Sequence, residues 1–201
     1  MYNSILYEVH NGLYINLTNR CPCACVFCLR NTKDRVGRSD RLWLEKEPTV
    51  EEVIRLFGER EMDKYEEVVF CGFGEPTERL DAILEIAAFL KKNYNKPIRL
   101  NTNGLGDLVN GRPIAPLLAG KIDVVSISLN TPDEARYMQE VRPSFGAGSF
   151  GALLHFAEEC TKYVPKVVLT TVATTLTKEE EEECAALAKR IGANYRIRPF
   201  E

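Results

Sequence analysis

Several things are scarce in this sequence, and each scarcity excludes something. No apolar run approaches the ~18 residues that read as a membrane span, so no membrane partner is expected. The opening residues, Met1-Tyr2-Asn3-Ser4, carry neither a basic n-region nor an apolar h-region, and no secretory signal is read there. No stretch has the composition of a linker or a low-complexity tract. Charge of one sign is also lacking. With 26 Lys and Arg against 29 Asp and Glu, the net charge is −3, and no general polyanion-binding surface is implied. Histidine is nearly absent; His10 and His155 stand alone and are read as structural. The 201 residues suffice for one domain with a substantial core, and a single domain over 1–201 is predicted.

Cysteine is not scarce. Seven are present, and four fall within eight residues, Cys21-Pro22-Cys23-Ala24-Cys25-Val26-Phe27-Cys28. Taken as Cys21, Cys25 and Cys28, the spacing is Cys-x3-Cys-x2-Cys. Close-spaced thiolates are the usual ligands of iron–sulfur clusters. Three ligands to a four-iron cluster leave one iron open for chemistry. Structural zinc is the competing reading, but it wants four ligands, often in two pairs. Cys71, Cys160 and Cys184 are each isolated, and no second pair exists. A disulfide framework belongs to small secreted chains. Cys23 is left out of the ligand set. Many cysteines without a secretory signal point to a reducing, cytoplasmic setting and to metal or redox chemistry.

The rest of the chain alternates strand and helix signals. Strands are predicted at 13–19, 67–73, 98–103, 123–130, 166–174 and 194–200. Helices are predicted from Thr49 to Arg60, from Glu78 to Asn93, as a short piece within Pro113–Ala119, from Thr131 with a break at 143–148 and a resumption to Tyr163, and from Thr177 to Gly192. Thr49…Glu52, Thr131…Glu134 and Thr177…Glu180 each have the spacing of a capping box. The stretch Arg30 to Arg41 holds Arg30, Lys33, Arg35, Arg38 and Arg41. It reads as a long basic loop, either a solvated connector or a substrate lid, with Trp43 packing it back onto the body.

Alternation of this kind implies a parallel sheet with right-handed crossovers. Strands covered by helices on both faces should be apolar on both. Here Leu13, Ile15 and Leu17 oppose Asn16 and Thr18; Ile98 and Leu100 oppose Arg99, Asn101 and Asn103; Val125, Ile127 and Leu129 oppose Ser126, Ser128 and Asn130. One face is therefore polar. The predicted fold is α/β, an incompletely closed (β/α)6 barrel of parallel strands whose inner face holds a ligand. Cys71 and Glu75 are expected to share that inward parity. Arg99, Arg196 and Arg198 are inward by parity, either holding an anionic ligand or pairing with Glu75 or Asp123.

Cys21-x3-Cys25-x2-Cys28, with Phe27 before the last cysteine and a Gly-Glu-Pro after the second strand, resembles the radical SAM superfamily over nearly the whole chain. The segments CPCACVFCLRN, LWLEKEPT and CGFGEPTER are similar to the short radical SAM proteins associated with TatD-type hydrolases. The resemblance implies that Cys21, Cys25 and Cys28 ligate three irons of a [4Fe-4S] cluster and that S-adenosylmethionine chelates the fourth. Reductive cleavage would then give a 5′-deoxyadenosyl radical that abstracts hydrogen from a substrate. Gly72, Phe73, Gly74 and Glu75 stand where the family has Gly-Gly-Glu, the motif for the methionine amino group. Asn103 matches a Thr-Asn-Gly after the third predicted strand. Ser128 and Asn130 match positions contacting the ribose and methionine ends, with Asn130 in place of a common aspartate. Arg142 would face the methionine carboxylate and Phe27 the adenine. No glycine-rich adenine motif is visible in KVVLTTVATT.

The resemblance also implies an electron donor such as flavodoxin or ferredoxin, and a functional link to a TatD-type hydrolase. It leaves the reaction, oxidoreductase or lyase, open, and no catalytic residue beyond the cofactor ligands is assigned. Four functions compete: an enzyme acting on a small anionic substrate, as in the compact 7-carboxy-7-deazaguanine synthases; an activase that installs a glycyl radical on a protein; a nucleic-acid modifier, which the net charge disfavours; and a non-catalytic metal-binding module.

Overall fold

A computed structural model describes residues 4–37 and 39–199. Its centre is one sheet in which strands neighbour one another in chain order. These are β1 (Leu6–Val9), β2 (Gly12–Ile15), β3 (Glu67–Phe70), β4 (Ile98–Thr102), β5 (Val124–Ser128), β6 (Lys166–Val172) and β7 (Asn194–Arg198). From β2 to β7 every pairing is parallel. Among the described residues no ladder joins β1 to β7, so the sheet is open. The expected parallel α/β architecture is thus present, with one strand more than the six predicted. β1 is the addition. It pairs antiparallel with β2 across a two-residue turn at His10 and Asn11, with His10 at φ +50°. The first predicted strand is correspondingly shorter, ending at Ile15. Phe200, at the end of the last predicted strand, and Arg38 lie outside the described residues.

Among the described residues six α-helices fill the crossovers: α1 (Val50–Phe57), α2 (Leu80–Asn93), α3 (Gly106–Asn110), α4 (Glu134–Val141), α5 (Ser149–Tyr163) and α6 (Lys178–Arg190). Two of the predicted capping boxes form. Thr49 accepts from the Glu52 N–H and Glu52 reaches back, and Thr177 and Glu180 do the same. The third does not. Asp133, not Thr131, caps α4, taking the Arg136 N–H at 2.6 Å. Thr131 is fully buried and its hydroxyl accepts from the Asp133 N–H instead, a local turn that uses up the side chain. The short piece expected within Pro113–Ala119 is a 3-10 turn, Ala115–Leu118.

Parity works as the pattern requires. Leu13, Ile15, Val68, Phe70, Ile98, Leu100, Val125, Ile127, Val167 and Leu169 face the helices in one core with Ile83, Ile86, Leu153 and Phe156. The opposite, inner face carries Tyr14, Asn16, Cys71, Arg99, Asn101 and Ser126. Part of the inner face is covered by the chain itself. Leu42 is buried with Tyr7 and Phe73, and the Asn16 amide donates to the Leu42 carbonyl at 2.7 Å. Trp43 meets Phe73 edge-on at 5.3 Å. The stretch after the cysteines is therefore anchored as expected, by apolar rather than basic residues.

Candidate active site

The cysteine loop follows β2 and is tied down along its length. Its backbone runs beside residues 140–144: Ala24 N–H donates to the Val141 carbonyl, Val26 N–H to Glu140, and Ser144 N–H donates to Pro22. Cys23 and Pro143 form a bridge. From the other side the Arg30 guanidinium donates to the carbonyls of Asn19 and Cys23, and the Asn31 amide donates to Cys25. Arg30 thus belongs to the loop's scaffold, a role that its place in a basic run did not reveal.

Within this frame Cys21, Cys25 and Cys28 are partly exposed, while Cys23 is buried. The three cysteines of the Cys-x3-Cys-x2-Cys spacing thus share one degree of exposure, and Cys23 differs from them. Hydrogen bonding from the Cys23 thiol lowers the Cys21 and Cys25 thiols toward thiolate, whereas burial pushes Cys28 up. Cys23 itself is raised, chiefly because it keeps its proton to hydrogen-bond with Cys21 and Cys25, and burial adds to the rise. Among the described residues no three His, Cys, Asp or Glu side chains converge as ligands of one ion would. Thiolates of an iron–sulfur cluster each bind a different iron and need not converge on one point.

Glu75 is 3% exposed and lies beyond β3. Its Oε1 accepts from the Thr77 N–H at 3.1 Å, the Thr77 hydroxyl at 2.8 Å and the Thr102 hydroxyl at 2.8 Å. Its Oε2 takes the Asn103 N–H at 2.7 Å. Burial raises its pKa, and these donors oppose the rise; no cation contributes. A buried carboxylate without a cation, held by neutral donors, suits a ligand ammonium. Asn103 joins the two halves of the site. Its backbone holds Glu75, and its side-chain amide reaches the Cys23 sulfur at 3.5 Å.

The glycines of this segment are also required by the packing of the chain itself. A Cβ on Gly72 would stand 2.1 Å from Asn16 Oδ1, and one on Gly74 would stand 2.3 Å from the Thr18 carbonyl oxygen. The chain after β3 is pressed against the chain after β2, and only glycine fits there. Phe73 is buried against Trp43, so its side chain belongs to the core. Ser128 ends β5. Asn130 sits at φ +68° with its amide donating to the Ser128 carbonyl at 3.2 Å. An Asn tolerates that left-handed backbone better than most residues. Arg142 also has positive φ, +51°, and its guanidinium donates to the Gln139 carbonyl at 3.1 Å. It is exposed at the end of α4, beside the cysteine loop by backbone but turned onto its own helix. Phe27 is 46% exposed at the loop's tip.

The inner face carries a second concentration of polar residues. Arg99 pairs with Glu67 and stacks near Tyr14, rather than pairing with Glu75 or Asp123; Asp123 is held by Lys91. A cavity of about 360 Å³ at the N-terminal ends of the strands is lined by Arg99, Ser126, Lys166 and Arg196, among others. Among the described residues Lys166 and Arg196 form no ion pair. Cys71 lies on the same face; burial raises its thiol, and Asn101 and Arg99 counteract this.

The family model of the radical SAM superfamily matches residues 15–191. The chain belongs to that superfamily. Its members are enzymes that use a [4Fe-4S] cluster and S-adenosylmethionine. The chain is 31% identical over 193 residues to a probable GTP 3′,8-cyclase of Thermococcus kodakarensis, covering 94% of this chain and 57% of that protein. It is 28% identical over 165 residues to the GTP 3′,8-cyclase of Clostridium perfringens, covering 80% of this chain and 46% of the relative. The chain therefore spans about half the length of such relatives. Among solved structures, Streptococcus suis SuiB bound to its precursor peptide SuiA superposes with a TM-score of 0.70 at 16% identity, over 98% of this chain and 40% of SuiB. The structure titled native anSMEcpe with bound AdoMet gives 0.61 at 18% identity, over 92% of this chain and 50% of the other. At these identities the likeness establishes the fold. No helix among the described residues is long and apolar enough to cross a membrane.

Proposed function

We propose that this chain is a radical SAM enzyme acting on a small anionic substrate held on the inner face of the open sheet. The observation that carries the reading is the double attachment of Asn103, to Glu75 through its backbone and to the cysteine loop through its side chain. It brings a three-thiol loop and an ammonium-ready carboxylate into one site. When bound, the cluster and S-adenosylmethionine supply one-electron, hydrogen-abstracting chemistry.

The chain's own residues do the rest. Cys21, Cys25 and Cys28 hold the irons, and Cys23 supports Cys21 and Cys25 from below. Glu75 Oε2 keeps a lone pair for the methionine ammonium. Gly72, Phe73 and Gly74 supply backbone toward the same group. Ser128 and Asn130 line the ribose side, Phe27 the adenine side, and Arg142 reaches the methionine carboxylate by turning from Gln139. Lys166 and Arg196, cationic and without ion-pair partners among the described residues, support the anionic substrate class, since guanidinium and ammonium groups bind phosphate and carboxylate. The relatives named as GTP 3′,8-cyclases make GTP the first compound to try. An electron donor such as flavodoxin or ferredoxin, a cytoplasmic setting and a functional link to a TatD-type hydrolase complete the reading; the last rests on the three segment motifs alone.

The test is anaerobic reconstitution with iron and sulfide, reduction by dithionite, addition of S-adenosylmethionine, and chromatography for 5′-deoxyadenosine. Formation above a Cys25→Ala control is expected, with a further rise on adding the right anionic substrate. A chain that takes up stoichiometric zinc and releases no 5′-deoxyadenosine is instead a metal-stabilised binding module.

A further inference from the structure

The Tyr137 hydroxyl is fully buried and has no hydrogen-bond partner among the described residues. Buried hydroxyls almost always find one, and an exception calls for an explanation. Position supplies it. Tyr137 lies on α4, one turn before Val141, and both face inward. The last turn of that helix is where the cysteine loop is attached, through Ala24 and Val26. The Tyr137 ring is fixed from behind by Phe150, with centroids 5.3 Å apart. Tyr137 shares one buried cluster with Cys23, and Cys21 and Cys25 pack against that cluster. Burial, with those same neighbours, pushes the phenol pKa up, so the oxygen keeps its proton and stays a donor.

We propose that the Tyr137 hydroxyl donates a hydrogen bond to a sulfur of the bound iron–sulfur cluster and thereby raises the cluster's reduction potential. The inference rests on the function proposed above, because it requires the cluster. Reduction adds negative charge to the cluster, and a donor aimed at its sulfur stabilises that charge. Cys21 and Cys25 already have a donor in Cys23, and the lone pair left on Glu75 is the one assigned above to the ligand ammonium, so the acceptor left for Tyr137 is one that arrives with the cluster. Tyr137 is a positioning and tuning residue; it touches neither substrate nor the reacting carbon.

The experiment uses the reconstituted chain and Tyr137→Phe, which removes one oxygen and keeps the ring. Cluster content is fixed by iron and sulfide analysis. The midpoint is then read by EPR-monitored redox titration. At a fixed potential the ratio of reduced to oxidised cluster is expected to fall about tenfold, or ~59 mV for a one-electron couple. In deuterated buffer, pulsed EPR of the reduced wild-type cluster should show an exchangeable deuteron that Tyr137→Phe lacks. An unchanged midpoint at full cluster content overturns the proposal. Should the variant load poorly, wild-type protein carrying phenol-17O tyrosine decides: coupling of 17O to the reduced cluster supports the assignment, and its absence overturns it. A wild-type chain that takes up no cluster overturns the proposed function itself, an outcome distinct from a loaded cluster whose potential ignores Tyr137.

Discussion

The two ends of the inner face are built on opposite principles. At the C-terminal rim, polar groups are assigned to named partners in the chain: Glu75 has four donors, Arg30 two carbonyls, and Gly74 a space that no side chain could share. At the N-terminal mouth, Lys166 and Arg196 project into a cavity with no ion-pair partner among the described residues. The rim is over-determined, as a site must be if it is to hold a reactive cofactor in one geometry. The mouth is under-determined; under the function proposed above, this allows substrate choice to change without disturbing the rim. A single barrel can thus keep one chemistry and vary what it acts on.

That contrast can be broken most decisively at the rim. Cys25→Ala is expected to abolish the cluster's visible absorbance and all 5′-deoxyadenosine formation. Cys23→Ala should retain both, because Cys23 supports the loop from inside. The reverse result would redraw the ligand set. Gly74→Ala comes next. Its Cβ would meet two backbone carbonyls, of Thr18 at 2.3 Å and Arg20 at 2.6 Å, neither of which can swing away. Overpacking of this kind costs about 1–3 kcal/mol, and a lower denaturation midpoint with a displaced Glu75 is expected.

Glu75→Gln probes charge rather than space. Removing a charged partner of an ammonium costs about 1.5–3 kcal/mol, so affinity for S-adenosylmethionine should fall at least about tenfold with cluster content unchanged. Equilibrium binding to the loaded variant measures it. The pH dependence has a definite sign. Burial raises the Glu75 pKa, and only the ionised form attracts a cation. Affinity should therefore fade on acidification starting above the ordinary glutamate value of about 4.3, and Glu75→Gln should flatten that limb.

At the mouth, Lys166→Ala with Arg196→Ala should raise the KM for an anionic substrate and leave substrate-independent S-adenosylmethionine cleavage intact. A matching loss of cleavage would show that mouth and rim are not separable. The smallest effect belongs far from both. Thr177→Ala removes the capping box of α6, costing about 1 kcal/mol, seen as a lower Tm at unchanged cluster content.

How much of this was legible in the sequence depends on how local its cause is. The superfamily signal of the cysteine spacing, the parity of Arg99 and Asn101, and the caps at Thr49 and Thr177 depend on residues a few positions apart, and the sequence alone suffices for them. β1 was missed because four residues beside a two-residue turn carry little periodicity, and their partner strand already looked complete. The cap at α4 was misassigned because Thr131 and Asp133 are both good caps, and burial of Thr131 decided between them. The packing demand on Gly72 and Gly74 was not legible, because nothing in the sequence says that Asn16 and Thr18 pass beside them. Tyr137 had no signal at all, since its importance is the absence of a partner.

The pairing of the cysteine loop with residues 140–144 also bears on how the protein is made. Cys21 to Cys28 leave the ribosome early, yet the segment that fixes their loop follows more than a hundred residues later. At the usual ~5–20 residues per second of synthesis, the thiols wait for several seconds without their scaffold. Within this chain the loop's scaffold is thus made after the loop itself, and a chain cut before α4 would carry all four cysteines of the loop without their backbone partners at 140–144.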